Sequence, residues 1–173
     1  SITFISEETF YGCDSLRSIT IPNSVTTIYS GAFQACYSLT SITIPNSVTS
    51  ITTSAFYACR NLETVIISDS ITEIGLWSFT NCTSLRSINM PNSLISIGKS
   101  AFYNCSSLDS IIMPNTLTTI GEYAFAHCSG LDSIILPNSL TTIGAYAFSD
   151  CTNLTRVNIS SLDKLYALVL ASI

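Results

Sequence analysis

The stretch Leu39-Thr40-Ser41-Ile42-Thr43-Ile44-Pro45-Asn46-Ser47-Val48-Thr49-Ser50-Ile51-Thr52-Thr53-Ser54-Ala55-Phe56-Tyr57-Ala58-Cys59 is most of one repeating unit. Leu39, Ile42 and Ile44 have the spacing of a short strand. Ile42 and Ile44 turn inward and Thr43 outward, because strand side chains alternate faces. Pro45 ends the strand, since proline has no N–H for a ladder. Asn46-Ser47 supplies turn chemistry, after which Val48 and Ile51 bring apolar side chains back to the core. Ala55, Phe56 and Cys59, at i, i+1 and i+4, predict about one turn of helix.

Outward from this unit, Phe-x-x-Cys-x-x-Leu recurs at Phe10, Phe33, Phe56, Phe79, Phe102, Phe125 and Phe148, always 23 residues apart. All five prolines (Pro22, Pro45, Pro91, Pro114, Pro137) fall in the column that ends the strand. Gly98, Gly121 and Gly144 each stand three residues before an alanine, where a sharp bend or cap is expected. No unit this short can bury its own apolar face, but stacked units make continuous columns: Leu16 to Leu154, Ile19 to Val157, Phe10 to Phe148. The predicted fold is an α/β repeat, a solenoid of seven 23-residue turns over residues 1–159. Parallel strands would form one face and short helical turns the other. At about 4.8 Å per rung the stack is on the order of 30 Å long.

Composition narrows the function classes. Of 173 residues, 47% are hydrophobic and 10% charged, which favours a packed core over disorder. Six basic against 11 acidic side chains, a net charge of −5, speak against nucleic acid and anionic membranes as partners. No apolar run approaches the roughly 18 residues of a membrane span, so no insertion is expected. Ser1-Ile2-Thr3-Phe4 has neither an initiator Met nor a basic leader and reads as the cut edge of a longer or processed protein.

Leu131-Asp-Ser-Ile-Ile-Leu-Pro-Asn-Ser-Leu-Thr-Thr-Ile-Gly-Ala-Tyr-Ala-Phe-Ser-Asp-Cys151 closely resembles the BspA-like, Treponema-type class of leucine-rich repeats, and the resemblance covers about residues 2–159. It implies a leucine-rich-repeat solenoid in a cell-surface or secreted protein of a mucosal bacterium or parasitic protist. It also implies adhesion to host matrix proteins or to other microbial cells, and it brings no catalytic motif. Two regions depart from the pattern. One repeat has Ser68-Asp69-Ser70 for Pro-Asn-Ser and Leu76-Trp77-Ser78 where neighbours have a small residue and Ala. Residues 160–173 leave the pattern: Leu162, Leu165, Tyr166 and Val169 have helical spacing, with Ser160 or Ser161 as N-cap. That tail is expected to cap the last rung or to begin a further segment.

Several columns carry reactive groups. Cys13, Cys36, Cys59, Cys82, Cys105, Cys128 and Cys151 share one column. Metal sites want paired cysteines or nearby histidines, and parallel side chains in an odd-numbered column do not point at one another, so free buried thiols are expected. The column Ser24, Ser47, Ser70, Ser93, Thr116, Ser139 and the Asn/Asp column before it are expected to satisfy backbone groups. His127 has no acid–base partner in sequence. Asp109 and Asp132 should lie one rung apart with no cleft to desolvate them. No phosphate loop follows a strand. The sequons at Asn81, Asn104, Asn153 and Asn158 are weak in a chain so rich in Ser, Thr and Asn. No catalytic residue, cofactor or metal is therefore assigned.

Variable residues on a constant frame mark the surface free to specialise. On the outward strand face one column reads Thr20, Thr43, Ile66, Asn89, Ile112, Ile135, Asn158 and its neighbour reads Arg17, Thr40, Glu63, Arg86, Asp109, Asp132, Thr155. A solvated face has no need of isoleucine, so Ile66, Ile112 and Ile135, with Asp109, Asp132, Arg86 and Asn89, form the candidate binding surface. β-propensity is the competing explanation for the isoleucines. Two further columns, Tyr11/Tyr57/Tyr103 and Trp77/Tyr123/Tyr146, offer aromatic anchors. The expected function is protein–protein interaction in an adhesin-type surface protein, with an extracellular matrix protein as one candidate partner. The alternative is an intracellular scaffold or a self-assembling repeat segment.

Overall fold

A computed structural model describes residues 1–159 as one continuous stack of rungs. The tail expected as a cap, 160–173, lies outside the described residues. Each rung contributes up to three segments that pair with the same segments of its neighbours 23 residues away, so the core is a shaft enclosed by three ladders.

The Leu-x-x-Ile-x-Ile segments form the expected parallel strands: β3 (Ser41–Thr43), β5 (Thr64–Ile66), β7 (Ser87–Asn89), β10 (Ser133–Ile135) and β12 (Arg156–Asn158). Their middle residues point inward except in the final rung, where Val157 stays exposed. This face is not one sheet. β3, β5 and β7 pair in one group and β10 with β12 in another, and the rung between contributes a single bridge, Ile112 to Ile135.

A second, longer sheet is absent from the sequence reading. β1 (Phe4–Ile5), β2 (Thr27–Ile28), β4 (Ser50–Ile51), β6 (Glu73–Ile74), β8 (Ser96–Ile97), β9 (Thr119–Ile120) and β11 (Thr142–Ile143) pair in parallel without a break. Five are Thr-Ile or Ser-Ile pairs, β1 is Phe-Ile and β6 is Glu-Ile, and in sequence each reads as a mere return to the core. Their two-residue length gives no detectable alternation, and only stacking turns them into a ladder. The glycines that follow serve close approach. A Cβ on Gly121 would meet Gly98 C and Lys99 N at 2.6 Å, so adjacent backbones touch where a side chain would stand.

The short helical turns are not formed; there is no helix among the described residues, and hence none long and apolar enough to cross a membrane. Two left-handed residues per rung prevent them. One column holds Ser54, Trp77, Ser100, Tyr123 and Tyr146 at φ 53 to 59°, and another, four residues on, holds Ala58, Asn81, Asn104, His127 and Asp150 at φ 56 to 62°. A helical turn needs an unbroken run of right-handed residues. Instead alternate N–H groups reach the next rung: Ser54, Phe56 and Ala58 donate to the carbonyls of Leu76, Ser78 and Thr80 at 2.8, 2.8 and 2.7 Å.

Inside, the columns close up as expected. Phe10 through Phe148 form one stack with ring centroids 5.1 to 5.4 Å apart and planes within 9°. All seven cysteines are free. From Cys36 to Cys151 each thiol donates to the carbonyl of the preceding rung's phenylalanine at 3.0 to 3.2 Å. In the column past each strand, Ser24, Ser70, Ser93, Thr116 and Ser139 donate to backbone carbonyls at 2.5 to 2.8 Å, whereas the Ser47 hydroxyl finds no partner. Ser78, in the alanine column of the divergent repeat, is buried and donates to Gly75 O at 2.8 Å.

Candidate binding surface

One bond between rungs of the strand face departs from the pattern of the others. Where the ladder is regular, the residue after the strand donates its N–H to the next rung's backbone: Ile44 to Ile66 O at 2.8 Å and Leu136 to Asn158 O at 2.9 Å. At the equivalent place the Asn89 side chain intervenes. Ile67 N donates to Asn89 Oδ1 at 2.8 Å, and Asn89 Nδ2 donates back to Ile67 O at 2.9 Å. The amide stands in for a backbone acceptor between β5 and β7, which stay paired at all three residues; the strand face parts one rung further on, between β7 and the rung of Ile112. There lies an open groove of about 670 Å³ lined chiefly by Ile66, Ile88, Asn89, Met90, Ile112 and Pro114.

The predicted residues divide accordingly. Ile66, Asn89 and Ile112 come together around the groove, and Ile135 adjoins Ile112 through their bridge. The three isoleucines are 51, 87 and 66% exposed, so they form an apolar strip on the surface. Asp109 and Asp132 stand beside it, each accepting from the next serine, Ser110 at 3.1 Å and Ser133 at 2.7 Å. Asp132 also lies 3.8 Å from Arg156, a solvent-exposed pair of little energetic weight. Arg86 is exposed and does not line the groove. Met90 and Pro114 line it and were missed, because their columns read as inward-facing and strand-ending and carry no sign of a groove.

On the turn face, Tyr57, Trp77 and Tyr103 gather around a second hollow of about 380 Å³. Tyr123 and Tyr146 stack instead on each other, with centroids 5.0 Å apart. His127, for which the sequence shows no acidic partner, lies 3.6 Å from Asp150 one rung on and edge-on to Tyr103. Both members of that pair are substantially exposed, so nothing desolvates them into an acid–base device. Among the described residues no group of His, Cys, Asp or Glu is placed to hold a metal ion.

Burial sets the thiol chemistry. It pushes Cys36 up to about 11 and Cys59 and Cys128 up to about 12, with neighbouring cysteines adding to the shift. Thiols so placed remain protonated and act as apolar filler.

A profile of the BspA type leucine rich repeat region, in six copies, matches residues 3–105 and 49–169, and the chain belongs to that family. The fold it defines is a repeat scaffold of the kind used for protein–protein interaction. Among solved structures, a leucine rich cell surface protein from Faecalibacterium prausnitzii is 28% identical with a TM-score of 0.73, covering 99% of this chain and 60% of its own. The leucine rich repeat protein of T. pallidum is 29% identical with a TM-score of 0.60, covering 68% of each chain. A leucine-rich repeat protein from Bacteroides ovatus is 33% identical with a TM-score of 0.60, covering 78% of this chain and 41% of its own. No curated protein sequence matches. The chain thus spans between about two fifths and two thirds of the length of these three relatives.

Proposed function

We propose that this solenoid is the protein-binding part of a cell-surface or secreted adhesin-type protein, engaging host or microbial surface proteins through its strand face. The observation that carries the reading is the strip of Ile66, Ile112 and Ile135 beside the groove that Asn89 lines. Water-facing isoleucines on a rigid frame favour a partner whose apolar side chains they can cover, and the flanking Asp109 and Asp132 favour basic residues at its rim. A rigid stack orders little on binding, so modest contacts add up along its length. The description of the F. prausnitzii relative as a cell surface protein supports the same location.

The test is surface-plasmon binding of the chain to a panel of extracellular matrix proteins, beside an Ile112→Lys/Ile135→Lys variant shown by circular dichroism to fold. Saturable binding that the folded variant loses is the expected result. Binding that survives the substitutions moves the site off the strand face, and no binding to any panel member removes the adhesin reading.

A further inference from the structure

The hollow on the turn face has a chemistry unlike that of the isoleucine groove. Its walls are three aromatic rings, Tyr57, Trp77 and Tyr103, and the rest of its lining is neutral and polar: Gln34, Ser54, Thr80, Asn81 and Ser100. The repeat builds it. Tyr57 and Tyr103 occupy one column two rungs apart, roughly 10 Å along the stack, with the smaller Thr80 between them. Ser54 and Ser100 flank Trp77 in the same way in the next column. Large, small, large in one column and small, large, small beside it leave a slot walled by rings.

The polar groups are held in place. Asn81 Nδ2 donates to the Tyr57 hydroxyl at 3.3 Å, Asn104 Nδ2 donates to Asn81 Oδ1 at 2.9 Å, and the Thr80 hydroxyl donates to Ser100 O at 2.5 Å. These bonds leave the second Asn81 amide hydrogen, the Tyr57 hydroxyl proton and the Thr80 lone pairs available. Trp77 is 40% exposed at φ 53°, a left-handed conformation that disfavours bulky residues. Gly31 fills the same column elsewhere, so the backbone has no need of an indole there.

We propose that this hollow binds a neutral saccharide. Aromatic faces accept the C–H face of a pyranose, while amides and hydroxyls meet its ring of hydroxyl groups. An apolar peptide would desolvate the Gln34 side chain and the second Asn81 amide hydrogen without offering them partners. Single-stranded nucleic acid also stacks on aromatics, but it needs a basic groove for its phosphates, and no charged side chain lines the hollow.

Trp77 is the sole tryptophan of the chain, so its fluorescence reports on this site alone. The experiment titrates the full chain with neutral oligomers of glucose, galactose and N-acetylglucosamine, and with sialylated oligomers as the charged comparison. At least one neutral oligomer is expected to give a saturable shift in emission, with at least tenfold weaker binding in Tyr103→Ala. Calorimetry with the same oligomer is expected to show no binding to Trp77→Gly, a change that relieves the backbone and keeps the fold. Ile112→Lys/Ile135→Lys is expected to bind it unchanged, which separates this site from the strand face. Absence of a saturable shift across the neutral panel, undiminished binding to folded Trp77→Gly, or preference for the sialylated oligomers would each overturn the proposal.

Discussion

Phe79 and Ile112 are both large apolar side chains placed by the same 23-residue repeat, yet Phe79 is 0% exposed and Ile112 is 87% exposed. The difference lies in their columns. Phe79 sits between Phe56 and Phe102 at 5.3 and 5.4 Å, so any change there is felt by the rungs above and below. Ile112 occupies a column that also tolerates Thr43, Asn89 and Asn158. A column that must stack is constant; a column that faces water can vary and so can carry specificity. Apolar character alone does not separate a core residue from a binding residue in a solenoid, whereas uniformity along the column does.

The harshest way to break the inner columns is collective. The buried thiols ionise only near 11 to 12, whereas in the unfolded chain they do so near 9.0. The native state therefore holds protons that the unfolded chain has released. Their contribution to stability is complete below about pH 9 and falls as pH rises toward 12. Urea midpoints measured across that window are expected to fall steeply, less so in a Cys59→Ala/Cys128→Ala variant. At pH 8 the same thiols should resist iodoacetamide until the protein unfolds. Next comes Phe79→Ala, which opens a gap in the ring stack and is expected to cost about 3–5 kcal/mol in chemical denaturation. Gly121→Ala forces a methyl against the backbones of Gly98 and Lys99 and should cost about 1–3 kcal/mol.

The outer face should respond in the opposite sense. Asn89→Ala deprives Ile67 of two hydrogen bonds and is expected to cost about 1 kcal/mol. Its sharper readout is faster hydrogen exchange at the Ile67 amide. Ile112→Lys should change stability by no more than about 0.5 kcal/mol while weakening binding of a protein partner. A destabilisation of Ile112→Lys comparable to that of Phe79→Ala would erase the distinction between the two columns.

The solenoid, its rung length, the inward Leu, Ile, Phe and Cys columns and the exposed isoleucines were all legible, because each depends on spacing repeated without insertion. Four features were not. The seven-stranded sheet is built from residue pairs too short to show a period. The expected helical turns fail because left-handed residues such as Trp77 and Asn81 are imposed by bonding to the next rung, not by local preference. The groove depends on β7 finding no strand partner in the rung of Ile112. The aromatic hollow requires Tyr57, Trp77 and Tyr103 to be set side by side from different rungs.

By itself the sequence determined what is buried and how often, since burying apolar side chains at a constant interval leaves stacking as the only solution. Only the tertiary structure decided where the ladders run unbroken and where they part. A hydrogen bond between rungs joins residues 23 or so positions apart, and its formation depends on the partner's geometry as much as on the residue's own identity.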